Sequence, residues 1–193
     1  MRGGWLFVIG AACGAAGMGL PRAAAHLRRA LNAEHVRTPE AGATRAHTEE
    51  AFAFIANAPV ERVVPLFGAD QERVWAPGWN PRFVHPVPAV DKEGMVFTTA
   101  HDHLSAVWVN TIFDEKNGRI AYVYVIPDGM ATVIRLKLTP QGEQTRVEVE
   151  YDRTALSPEA DEHVRHMAEG DRRSGPAWEK QVNEYLRRVE KGS

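Results

Sequence analysis

Residues 95–153 read MVFTTAHDHLSAVWVNTIFDEKNGRIAYVYVIPDGMATVIRLKLTPQGEQTRVEVEYDR, and this stretch decides the fold. It divides into five runs with strand character: Met95–Thr99, Leu104–Phe113, Arg119–Ile126, Met130–Leu138 and Thr145–Arg153. Turns rich in Gly, Asp and Asn separate them, and the pair Asn117-Gly118 tolerates the positive φ angles that a hairpin needs. Links this short cannot hold a parallel crossover, which takes a dozen residues or more, so an antiparallel meander is predicted.

The last two runs alternate. Met130, Thr132, Ile134, Leu136 and Leu138 share a face, with Arg135 and Lys137 on the other. Val147, Val149 and Tyr151 oppose Arg146, Glu148 and Glu150. Period two means one buried face and one wet face. The middle runs are apolar on both faces (Val107, Trp108, Val109; Tyr122, Val123, Tyr124, Val125). They are expected to lie centrally, covered on each side or lining a cavity.

Upstream, Thr48 to Asn57 alternates as a first strand, with Phe52 and Phe54 on one face. Ala58-Pro59-Val60-Glu61 opens a short helix, with proline near the first turn where its missing N–H costs nothing, and Gly68 ends it. Trp75-Ala76-Pro77-Gly78-Trp79-Asn80-Pro81 then makes a rigid aromatic loop. Trp75 is expected to plug the space between the helical insert and the sheet; for Trp79 that role and a lip over a pocket mouth both stand.

Downstream, Ser157-Pro158-Glu159 is a helix start, with Val164 and Met167 facing inward. Ser174-Gly175-Pro176 breaks the helix, and Trp178, Val182, Tyr185, Leu186 and Val189 then form one apolar stripe. The fold expected is α+β: a curved antiparallel sheet of six to seven strands closed by a long, broken C-terminal helix, with a short helical insert after the first strand.

Two segments carry a family likeness. Phe52-Ala53-Phe54-Ile55-Ala56-Asn57-Ala58-Pro59-Val60-Glu61-Arg62-Val63 resembles the strand-then-helix opening of polyketide-cyclase-like proteins. Gly175-Pro176-Ala177-Trp178-Glu179 through Tyr185-Leu186 is similar to the closing helix of the heat-shock-ATPase activator homologues. Both belong to the helix-grip, START-like (SRPBCC) superfamily, and the resemblance covers about His47 to the end. It implies a fold that binds lipids, sterols, polyketides or other apolar ligands, with cyclisation or dehydration in some members. The Trp-Pro loop and the Gly-Pro break depart from the typical pattern.

The chain has 193 residues, with 23 basic and 25 acidic side chains. From His47 onward, 17 basic residues face 23 acidic ones, a net of about −6. An anionic domain without a basic stripe argues against a nucleic-acid partner. Residues 1–25 read as a signal peptide or membrane anchor: Arg2, an apolar run from Trp5 to Leu20, and small residues ending at Ala25. Arg22, Arg28 and Arg29 count against export of that flank, and a start codon placed too far upstream is a third reading. The expected location is therefore extracytoplasmic or membrane-anchored if the leader is genuine, and cytoplasmic otherwise. Any membrane contact would run through this segment alone. Cleavage would remove Cys13, the single cysteine, and leave no disulfide. Residues 26–46 read as a linker, partly helical, and 47–193 as the ligand-binding domain.

Candidate chemistry is sparse. No G-x-S-x-G and no Gly-rich phosphate loop is present. His101-Asp102-His103 is the one polar cluster that invites a mechanism, with either histidine as general acid or base. Its two imidazoles could hold zinc with His163 or His166 as third ligand, but no spacing here matches a zinc signature, so neither metal nor cofactor is expected. The preferred reading is non-catalytic binding or transport of a hydrophobic small molecule, lipid-like or aromatic. Trp79, Phe97, Trp108, Asn110, Tyr122, Ile134 and Met167 are the candidate pocket residues. A cyclase or dehydratase using His101 or His103, and a protein-interaction module with a protein partner, are the alternatives.

Overall fold

A computed structural model describes residues 44–101 and 104–192. The leader, nearly all of the linker, Asp102 and His103 lie outside the described residues. Seven strands form one sheet: β1 (His47–Ala56), β2 (Arg82–His85), β3 (Val96–His101), β4 (Leu104–Asp114), β5 (Arg119–Ile126), β6 (Met130–Gln141) and β7 (Gln144–Ala155). Their order is β1-β7-β6-β5-β4-β3-β2, and every neighbouring pair is antiparallel. The meander predicted from residues 95–153 is therefore present, extended by β1 beside β7 and by β2 beside β3.

That order has a consequence for the insert. β1 and β2 are opposite edges, so the chain between Asn57 and Pro81 must cross the whole sheet, roughly 29 Å at six interstrand spacings. It does so as α1 (Val60–Val63) followed by two 3-10 turns, Val64–Phe67 and Gln71–Val74. Val63, Val64, Leu66 and Phe67 are buried along the way, so the insert covers the inner face.

Period two explains which face is inner. Met130, Thr132, Ile134, Leu136 and Leu138 are all buried, as are Thr145, Val147, Val149 and Tyr151 on β7. The middle strands lie inside the sheet and line a cavity with their inner face, but the outer face of β4 is not covered: Val107 is 44% exposed and Ile112 38%. Branched residues stand there because they suit a pleated strand, without being packed against another layer. The Asn117-Gly118 turn is built on glycine, at φ 61°, where a Cβ would lie 2.3 Å from the Leu138 carbonyl oxygen.

The C-terminal helix is broken as expected, into α2 (Asp161–Asp171) and α3 (Gly175–Gly192). On α3, Val182 and Leu186 are buried, and Trp178 and Tyr185 pack against the core. Asn183 docks the helix on the end of β1: its Oδ1 accepts from Asn57 N–H at 2.7 Å and its Nδ2 donates to the Ile55 carbonyl at 2.8 Å. The last member of the predicted stripe, Val189, is 41% exposed. Beyond Asn183 the helix outruns β1, and its final turns meet the insert through polar contacts such as Arg62–Glu190 at 3.3 Å.

Candidate functional site

The insert places the side chains that matter. Trp75 donates its indole N–H to the Leu66 carbonyl, and Trp79 to the Ala69 carbonyl, both at 2.6 Å. Both rings are buried, so the Trp-Pro loop is stapled down as part of the core rather than projecting as a lip. Arg73 adds a bond to the Pro81 carbonyl at 2.6 Å. From across the loop, the Asp91 carboxylate accepts the Asp70 N–H at 3.2 Å at the start of the Gln71–Val74 turn. Gly68 makes room for it, since a Cβ there would lie 2.2 Å from Asp91 Oδ2. Gly68→Ala is therefore expected to push the carboxylate off its backbone donors and to lower stability by about 2 kcal/mol. Urea denaturation measures this, and an unchanged midpoint would show that Asp91 relocates freely.

This arrangement carries Glu72 into a cavity between the insert and the sheet. The sheet supplies Phe97, Trp108, Tyr122, Ile134, Leu136 and Tyr151 to its wall; the covering segments supply Glu72, Trp79 and Trp178. Trp79 stands edge-on to Phe97 and Trp108, with centroids 5.9 and 5.5 Å away. Trp108 is oriented by its indole bond to Thr99 Oγ1 at 2.9 Å, and Tyr122 reaches the insert through a bond to the Phe67 carbonyl at 2.8 Å. Its volume is about 20 Å³, room for about one water molecule.

Glu72 is the one charged residue in this wall. Burial holds its carboxyl well above the ordinary glutamate range, and the nearby Asp91 pushes it further the same way. Asp91 itself is raised, again chiefly by burial, with the Asp70 N–H acting against that. The Tyr122 hydroxyl is also held well above its usual value, by burial first and then by Glu72 and Asp91. The site thus sets two partly buried carboxyls at the edge of an aromatic box.

Of the candidates read from the sequence, Trp79, Phe97, Trp108, Tyr122 and Ile134 come together around this cavity. Asn110 lies on the same inner face as Trp108, paired across the sheet with Tyr122, but outside the cavity wall. It is fully buried, and neither atom of its amide has a hydrogen-bond partner among the described residues. Met167 packs on the core from α2 and is not part of the cavity wall. His101 ends β3 and pairs with Leu104, His103 lies outside the described residues, and His163 and His166 lie on the exposed side of α2. Among the described residues no three His, Cys, Asp or Glu side chains converge as a metal site. Glu72, Leu136, Tyr151 and Trp178 were not among the candidates. Leu136 and Tyr151 fall on the buried face by alternation alone, whereas nothing local marks Glu72.

A second polar group lies deeper, beside Tyr151. Arg153 is 3% exposed and grips Asp171 at the end of α2 through two bonds, Nε–Oδ2 at 2.8 Å and Nη2–Oδ1 at 3.0 Å. Its Nη1 donates to the Tyr124 hydroxyl and, at 3.2 Å, to Thr132 Oγ1. The guanidinium also lies 4.5 Å from the Tyr151 ring centroid. Burial works against its charge, but Tyr124 and Asp171 more than offset this and its pKa stands above the ordinary arginine value. Thr132, a buried hydroxyl on an otherwise apolar face, thus has its partner in Arg153.

Sheet, insert and gripping helix define the class: this is a helix-grip fold. Solved structures of the same fold include truncated norcoclaurine synthase from Thalictrum flavum, with a TM-score of 0.56 and 10% identity over 75% of this chain and 95% of that one. The same synthase in complex with dopamine and hydroxybenzaldehyde gives 0.55 and 9% over 74% and 88%. The Mll3558 protein from Rhizobium loti gives 0.52 and 17% over 74% and 99%. No protein-family profile matches the sequence, and no curated protein matches it.

Proposed function

We propose that the protein binds a small, mainly aromatic molecule between the sheet and the segments that cover it. The observation that carries this reading is the make-up of the cavity wall: six aromatic rings and two aliphatic side chains around a single carboxyl. Such a wall offers flat apolar contact and few groups that a guest must satisfy. The norcoclaurine synthase complex, in which the same fold holds two aromatic molecules, accords with it.

The volume of about 20 Å³ limits the guest. A ring cannot enter without displacing side chains, and a long acyl chain would need far more space. Displacement falls most easily on Trp79, because it sits on the loop after the 3-10 turns rather than on a strand ladder. The test is titration of the full chain with naphthalene, read by tryptophan fluorescence, beside the cavity-filling variant Ile134→Trp. Saturable one-to-one quenching that weakens at least tenfold in the variant is expected. Absence of saturable binding to the native protein would overturn the reading.

A further inference from the structure

We propose that the guest is an organic cation, its ammonium group held against the Glu72 carboxyl inside the aromatic box. This rests on the pocket reading above and narrows it to one ligand class. Three observations converge. Glu72 lines the cavity, and among the described residues no Lys or Arg pairs with it. The charged group that acts on it is a second carboxyl, Asp91, so the local field favours a positive guest. Six of the other wall residues carry aromatic rings, a residue type whose faces attract cations by their quadrupoles and whose apolar surface suits the organic part.

The other ionisable groups around the site leave that bias in place. Asp70 lies beyond Asp91 and has the same sign; the Tyr122 and Tyr151 hydroxyls are pushed towards the neutral form by burial. The cations nearby are already paired: Arg73, next to Glu72 in the chain, with Asp70 at 3.1 Å, and Arg153, 4.5 Å from the Tyr151 ring centroid, with Asp171 through two hydrogen bonds.

Binding and protonation are then linked. In the empty cavity the desolvated acid is held above its ordinary range; an entering cation restores its charge, and the proton leaves to solvent. Observed affinity for a permanently charged guest therefore rises with pH, up to tenfold per unit, and levels off once the acid is ionised.

The probes are benzyltrimethylammonium and its uncharged isostere neopentylbenzene, titrated calorimetrically into the full chain and into Glu72→Gln. The native protein is expected to prefer the cation at least tenfold near neutral pH and to release a proton on binding it, seen as a heat that changes with the buffer's ionisation enthalpy. Glu72→Gln should lose that preference and its pH dependence while still taking the isostere. If the isostere binds the native protein as well as the cation does, or the cation binds with no proton release, the cation proposal falls and the pocket reading stands. If neither probe binds, both fall. The proton count uses native protein alone, so the test survives a variant that fails to fold.

Discussion

Asp171→Ala is expected to lower the unfolding free energy by about 3–5 kcal/mol. The reason lies in what remains. Arg153 would keep its Tyr124 and Thr132 contacts but lose both bonds to a carboxylate, leaving a guanidinium that is 3% exposed without a counter-charge. α2 would lose its tie to β7 at the same stroke. A buried pair replaced as a whole behaves differently, because the desolvation penalty disappears with the charges. Arg153→Met combined with Asp171→Leu should therefore recover most of the loss. Urea denaturation of the single and double variants checks this. A single variant within 1 kcal/mol of native would mean that water reaches the guanidinium, and that the pair does not hold α2 on the sheet.

The same pair shows how far the sequence can be read. The alternation that turns Val147, Val149 and Tyr151 inward also turns Arg153 inward, since all four residues are of one parity on β7. A charge at that parity requires a partner, but nothing local names Asp171, which lies 18 residues away on another element. The strands were legible because each carries its own periodicity and turn chemistry. β2 was not, because Arg82–His85 has four residues, follows a proline, and exists as a strand only by pairing with β3. Val189 was assigned to a buried stripe because helical spacing says which residues share a face, not where the opposing surface ends.

The cavity was legible in its aromatic half and illegible in its polar half. Alternation on β4, β5 and β6 places Trp108, Tyr122 and Ile134 on one face, and the antiparallel register brings them side by side. Glu72 depends on the path of a loop. That path is set by Trp75 and Trp79 bonding to carbonyls 9 and 10 residues upstream and by Asp91 bonding 21 residues back. A carboxyl between Gln71 and Arg73 has no pattern that separates it from a solvated one.

Trp178→Ala should separate stability from binding, with opposite signs. The indole lies within 5.3–6.5 Å, centroid to centroid, of Phe52, Phe54, Phe67 and Trp75, stacked on Phe67 and edge-on to Phe52. It joins α3 to β1 and to the insert in a single contact, and it also forms part of the cavity wall. Truncation to alanine removes that packing and leaves a void the helix cannot close, because Asn183 fixes α3 on β1. The expected loss is about 3–5 kcal/mol, a midpoint lower by about 10 °C in a thermal scan. The void opens into the existing cavity, so naphthalene should bind the variant more tightly than the native protein, which must first displace a side chain. Trp178→Phe should recover about half the stability and little of the gain in affinity. A variant that loses stability and also binds more weakly would mean that Trp178 contacts the guest directly, whereas one that loses less than about 1 kcal/mol would show that α3 is held chiefly by Asn183, Val182 and Leu186.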